Sequence, residues 1–137
     1  MKSALTAETT IAAPIEKVWR LWTTAADIMQ WNNPSNEWHS PRIEIDMKEE
    51  GRFLFRMETK DGKTGFDHAG KYNKIVNHAL IEYTVDDGRK SIIKFTSNNN
   101  STTVTETFEP DANTPIDMQK EFCQAVLNNF KNYVEKN

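Results

Sequence analysis

Few residues in this chain have the type and placement to do chemistry, and Glu106 is the most informative of them. It stands between Val104 and Phe108 in a run with a period of two, so it shares their inward face. A carboxylate on an apolar face is expensive unless it is solvated, protonated or paired. Either a bulge or register shift exposes Glu106, or it is the polar group at the floor of a partly wet cavity. In the second reading its natural partners are His68, Tyr83, or Arg56 if that strand runs out of phase. With no cation near, its pKa is raised. His68, between Phe66 and Gly70, reads as a hydrogen-bonded core or surface residue. Coupled to Glu106, it would form an acid–base pair. No catalytic residue follows firmly; His68 and Glu106 are the candidates.

Other chemistries lack their residues. His39, His68 and His78 lie far apart, and there is no His-x-His or Cys-x-x-Cys pair, so no metal site is expected. A serine-hydrolase elbow is missing. The five glycines fall mostly at turns and bends and make no phosphate-cradling loop, so no cofactor is expected. The single cysteine, Cys123, excludes an internal disulfide and reads as an inert packed thiol. Two overlapping sequons, Asn99-Asn100-Ser101 and Asn100-Ser101-Thr102, read as chance matches in an Asn-rich turn.

Composition bounds the function class. With 137 residues, the expectation is one domain over residues 1–137, able to bury roughly two-thirds of its unfolded surface. A net charge of −3 argues against nucleic-acid binding. A mean hydropathy of −0.72 and no run of 18 apolar residues exclude a membrane span. The N-terminal stretch carries Glu8 and three threonines and does not read as a secretory signal, so the expected compartment is the cytoplasm.

The elements that must position these residues follow from periodicity. Leu5 to Ile11 alternates as an edge strand. Pro14 opens a helix at its first turn, with Val18, Leu21 and Trp22 on one face. Thr23 or Thr24 can cap a second short helix carrying Ile28 and Trp31. Residues 32–41 (NNPSNEWHSP) read as a loop, in which Trp38 either plugs the end of the core or sits at a pocket mouth. From Arg42 the period is two through about six strands. A type I′ hairpin turn is expected at Asp61-Gly62 and a second tight turn at Asp87-Gly88, with breaks at Asn77–Ala79 and Asn98–Asn100. Thr114 is the expected cap of a helix of about twenty residues whose first position is Pro115. Its stripe runs through Ile116, Gln119, Cys123, Val126, Leu127, Phe130, Tyr133 and Val134. A lone amphipathic helix must bury that stripe against the sheet. The fold class is therefore α+β: a curved antiparallel sheet of about seven strands wrapped around a long C-terminal helix, with two short helices after strand 1.

Polar groups within an apolar lining are the mark of a small-molecule pocket. A sheet and one helix held apart by large side chains seldom fill completely when Glu106 and His68 face inward. The expected lining is Trp31, Trp38, Phe53, Phe55, Met57 and Phe66, with His68, Tyr83, Phe95, Glu106, Phe122 and Val126. Aromatic residues would supply burial, and His68, Tyr83 and Glu106 would orient a polar group.

Residues along the whole chain match a known family. They are Ala13-Pro14 then Val18-Trp19, Thr23, Trp31, Gly51-x-Phe53, Gly70, Leu80, the run Thr102-Thr103-Val104-Thr105, and Leu127, Phe130 and Tyr133. The ordered set resembles the helix-grip superfamily of START and Bet v 1-like (SRPBCC) domains, and within it the branch named for the activator of heat-shock protein 90 ATPase. Two departures stand out. Glu50-Gly51 replaces a usual Gly-Gly pair, and Phe122-Cys123 replaces a frequent Gly-Trp pair, which puts Phe122 and Cys123 among the candidate pocket walls. The resemblance implies a cavity between helix and sheet, often for apolar ligands; the fold alone does not choose among functions. The leading expectation is a non-enzymatic binder of a small apolar or amphipathic molecule, as a monomer or homodimer. The alternatives are a polyketide-cyclase or aromatase-like enzyme using His68 and Glu106, and a chaperone partner that stimulates an ATPase.

Overall fold

Alternating strands separated by tight turns can only pair with their neighbours, and the molecule is built that way. The computed structural model describes residues 3–137, so Met1 and Lys2 of the N-terminal stretch lie outside the described residues. Its elements are β1 (Leu5–Ile11), α1 (Ile15–Trp22), α2 (Ala25–Trp31), β2 (Trp38–Ile45), β3 (Arg52–Thr59), β4 (Gly65–Val76), β5 (Leu80–Val85), β6 (Lys90–Asn98), β7 (Ser101–Phe108) and α3 (Ile116–Lys136). The strands form one antiparallel sheet in the order β1-β7-β6-β5-β4-β3-β2. This is the α+β helix-grip arrangement: a curled seven-stranded sheet, a long C-terminal helix, and two short helices after β1. Gly70 belongs to the curvature. A Cβ there would stand 2.2 Å from the Thr84 carbonyl oxygen and 2.8 Å from the Val85 Cα, so β4 and β5 approach more closely than a side chain allows.

The core lies between the concave face of the sheet and one half of α3. Leu127, Phe130 and Val134 are its fully buried side chains, all in the C-terminal half. They meet Ile11, Val104, Ile93 and Phe95 within one apolar cluster. The two short helices close this end. Trp22 and Trp31 set their rings 4.9 and 4.6 Å from Phe130, in the edge-to-face geometry that aromatic quadrupoles favour. The Trp31 indole donates to the Leu21 carbonyl at 3.0 Å. Asn129 reaches the Trp31 carbonyl at 2.7 Å, and the Tyr133 hydroxyl donates to Asp27 at 2.6 Å.

The polar side of α3 covers a sheet edge. β1 has no strand beyond it, which leaves a row of unpaired backbone groups. Gln124 donates to the Glu8 carbonyl at 2.9 Å and accepts from the Glu8 N–H at 3.3 Å. Lys131 donates to the Thr10 carbonyl at 2.7 Å, and Glu135 accepts from the Ala12 N–H at 2.9 Å. Lys131 and Glu135 also pair with each other at 2.7 Å, one helical turn apart.

Several local expectations are corrected. Trp38 and His39 are not in a loop: they open β2, and Pro41 sits in it where the β2–β3 register shifts. An edge strand tolerates proline at such a bulge because no ladder donor is needed there. The Asp61-Gly62 turn is not type I′, since Gly62 has positive φ and Asp61 does not; the Asp87-Gly88 turn forms as expected, with positive φ at Gly88. In each, the glycine N–H closes on a carbonyl three residues back, Thr59 or Val85, and the glycine then takes the left-handed step. Thr24 stands at the head of α2, but its hydroxyl bonds back to the Arg20 carbonyl and does not cap; Thr23 bonds likewise to the Trp19 carbonyl. Pro115 precedes the helix proper as its N-cap, and Thr114 supplies no cap. Ile116, expected on the buried stripe, is 49% exposed.

Candidate functional site

Where α3 carries no fully buried side chain, a pocket opens between it and the sheet. Its volume is about 520 Å³, within the range of small-molecule sites. Strand alternation supplies one wall: Phe53, Phe55 and Met57 from β3, His68 and Tyr72 from β4, Tyr83 from β5, Ser91 and Ile93 from β6, and Glu106 and Phe108 from β7. Helical spacing supplies the other, through Met118, Phe122, Cys123 and Val126 of α3. Trp31 closes the inner end, and Arg89, Glu109 and Asp111 stand among the lining from the β5–β6 turn and the segment after β7.

Ten of the twelve residues expected to line a cavity front this pocket: Trp31, Phe53, Phe55, Met57, Phe66, His68, Tyr83, Glu106, Phe122 and Val126. Two do not. Phe95 turns its ring against Trp19 at 5.0 Å and Trp22 at 5.7 Å, inside the packed half. Trp38 lies behind the wall, edge-on to Phe122 at 5.5 Å and Phe66 at 6.1 Å, so it braces two pocket residues instead of lining the pocket. Ser91 was within reach of the sequence, because counting back two from Ile93 puts it inward. Arg89 was not: nothing in a turn's composition says which way its side chain folds.

The polar groups form two separate couples. His68 Nε2 and the Tyr83 hydroxyl are hydrogen-bonded at 3.1 Å, and Tyr83 faces Ser91 across the β5–β6 ladder. Burial, with the Arg89 charge adding to it, pushes the His68 imidazole down to about 4, so it is neutral at pH 7. Burial, with the Glu106 charge adding, pushes the Tyr83 phenol up. Glu106 is the other centre. Desolvation pushes its carboxyl up to about 7, and the nearby Cys123 thiol opposes that shift. That thiol is itself pushed up by burial and by the neighbouring carboxylate. The group set against Glu106 is therefore the Cys123 thiol on α3, while neither His68 nor Arg56 is paired with it. Arg56 bonds Glu58 at 3.0 Å and Asp67 at 3.4 Å. Among the described residues no hydrogen bond joins His68 to Glu106, so the two do not form a direct acid–base pair. Nor does any group of three or more His, Cys, Asp or Glu side chains among the described residues offer a metal site.

Two polar features border the pocket. Arg89 is held by Asp87, its Nε donating to both carboxylate oxygens at 3.0 and 2.8 Å. Gln119 ties the start of α3 to the incoming chain: its amide donates to the Asp111 and Thr114 carbonyls, both at 2.8 Å, and its carbonyl accepts from the Asp111 N–H at 2.7 Å. Gln119 thus anchors the incoming chain to the helix without capping a helix N–H, and the cap assigned to Thr114 is not made by any side chain.

Comparison with known proteins places this geometry in a family. The family model described as Activator of Hsp90 ATPase homolog 1-like protein matches residues 12–135. The chain is similar to the solution structure of the AHSA1-like protein from Aeromonas hydrophila, with 34% identity, a TM-score of 0.89, and 97% of this chain and 92% of that one covered. It is similar to a Cytophaga hutchinsonii protein solved in solution, with 44% identity, a TM-score of 0.82, and coverages of 96% and 92%. A Chromobacterium violaceum crystal structure shares the fold at 17% identity, with a TM-score of 0.88 and coverages of 98% and 99%. No curated protein matches the chain.

Proposed function

The chain belongs to the Activator of Hsp90 ATPase homolog 1-like family, whose fold suits ligand binders and co-chaperone-type proteins alike, and on that premise we propose that it is a binding protein for a small apolar or amphipathic molecule. The observation that carries this reading is the pocket itself: aromatic and aliphatic walls with a few convergent polar groups, His68, Tyr83, Ser91 and Glu106. That is the composition of small-molecule sites, in which apolar surface supplies affinity and a few polar groups set orientation. The whole chain acts as one domain in this reading, and the cytoplasm is its place of work. No described helix is long and apolar enough to cross a membrane. The cyclase-like alternative lacks its direct pair, since His68 is bonded to Tyr83 and no hydrogen bond joins it to Glu106 among the described residues.

Native mass spectrometry of protein purified from its source host, followed by denaturing extraction, tests the reading. A copurified molecule that leaves on denaturation is the expected result. A clean apo mass, with no ligand-induced rise in Tm across an apolar compound set, would sink it. The family description also favours a second reading, a chaperone ATPase co-regulator. The measurement for that one is the ATPase rate of the host's Hsp90-type chaperone with and without the protein, and an unchanged rate rejects it.

A further inference from the structure

The charges around the pocket are one-sided. Apart from the neutral His68, its ionisable lining of fixed sign consists of Arg89 against Glu106, Glu109 and Asp111. The one base is already engaged, because both oxygens of Asp87 accept from its Nε. Glu109 and Asp111 are held in place by backbone donors, the Lys90 N–H at 2.7 Å and the Asn113 N–H at 2.9 Å. Glu106 has no cation within salt-bridge distance among the described residues. The groups that face it are the Cys123 thiol from α3 and the Tyr83 phenol from β5, with His68 of β4 behind Tyr83. None of these is positively charged at pH 7.

We infer that the ligand is an amphipathic cation, an apolar body bearing a protonated amine that seats against Glu106. This rests on the binding reading above and names the chemical class for it. Three features point the same way. A desolvated carboxylate gains most from a partner of opposite charge. Aromatic rings are plentiful in the lining, among them Phe53, Tyr83 and Phe122, and an aromatic face carries the negative quadrupole that attracts a cation. An anionic ligand would meet three acids and a base that is already neutralised. The apolar remainder fills the space between β3 and α3, where Phe55, Met57 and Val126 offer no polar contact.

Calorimetry with three ten-carbon probes tests the class: decylamine, decanol and decanoate at pH 8, below their aggregation limits. The expected order is decylamine at least tenfold tighter than decanol, with decanoate weakest. In Glu106→Gln, decylamine falls to the decanol level while decanol affinity is kept. Acidification to pH 5 weakens decylamine tenfold or more in the wild type and leaves decanol unchanged, because the amine needs the ionised carboxylate. Should Glu106→Gln fail to fold, a carboxyl NMR titration of the wild type carries the test: bound decylamine lowers the Glu106 pKa. An unmoved titration, or decanol or decanoate matching decylamine, overturns the cation and leaves the binding reading standing. Absence of binding by all three probes overturns both.

Discussion

Desolvation shifts both Glu106 and His68 toward their neutral forms, but they bend the pH dependence of stability in opposite directions. Glu106 is raised from 4.5 to about 7, so between those values the folded state holds a proton that the unfolded state has lost. Its contribution is present below pH 4.5 and is lost as pH rises through 7. His68 is lowered from 6.5 to about 4, so between those values the unfolded state holds the extra proton. Its contribution is present above pH 6.5 and is lost as pH falls through 4. From about pH 4.5 to 6.5 the two slopes, each about 1.4 kcal/mol per pH unit, cancel in the wild type. Single variants unmask them. Glu106→Gln should be as stable as wild type at pH 4 and roughly 2 kcal/mol more stable at pH 8. His68→Asn, without its Tyr83 bond, should be about 1 kcal/mol less stable at pH 8, a deficit that shrinks on acidification. Urea unfolding at pH 4, 6 and 8 reads both; difference curves flat with pH would mean that neither group is desolvated.

Among the elements, the start of α3 shows how a helix end is held when its expected cap is unused. The head of a helix leaves backbone donors without partners, and threonine before proline is a natural site for a capping hydroxyl. Here Gln119, inside the first turn, folds back and makes three hydrogen bonds to residues 111 and 114. Those bonds fix the segment that brings Asp111 to the pocket. Gln119→Ala should therefore cost about 1–2 kcal/mol and expose the amides of residues 111–119 to hydrogen exchange. Thr114→Ala should cost less than about 0.5 kcal/mol. Equal costs in the two variants would mean that Gln119 does not hold this segment. The far end of the same helix follows another logic: Gln124, Lys131 and Glu135, outside its apolar stripe, complete the hydrogen bonding of β1.

For the whole molecule, α3 divides the work between its halves. Its C-terminal half is the core, where Phe130 is fully buried between Trp22 and Trp31. Its N-terminal half is the pocket wall, and Ile116 and Met118 are 49% and 59% exposed. Stability and site are thereby separated along one element. Phe130→Ala should lose about 3–5 kcal/mol, while Ile116→Ser stays within about 0.5 kcal/mol of wild type. Guanidinium denaturation compares them directly, and comparable losses would mean that the helix is gripped along its whole length.

The sequence by itself determined the order of elements and the inward face of nearly every strand. Both are local: a period of two with breaks at glycine and asparagine specifies a meander, and one long amphipathic stripe requires that meander as its partner. The same alternation placed seven of the ten expected pocket residues, Glu106 among them, and helical spacing placed Trp31, Phe122 and Val126. Only the tertiary structure decided who meets whom. Whether Glu106 faces Cys123 or His68, whether Trp38 lines the pocket or braces it, and whether Phe95 lies in the core or the cavity all depend on how far the sheet curls and where α3 crosses it. Those quantities come from long-range packing and from close approaches such as Gly70 against Thr84, which leave no periodic trace in the chain.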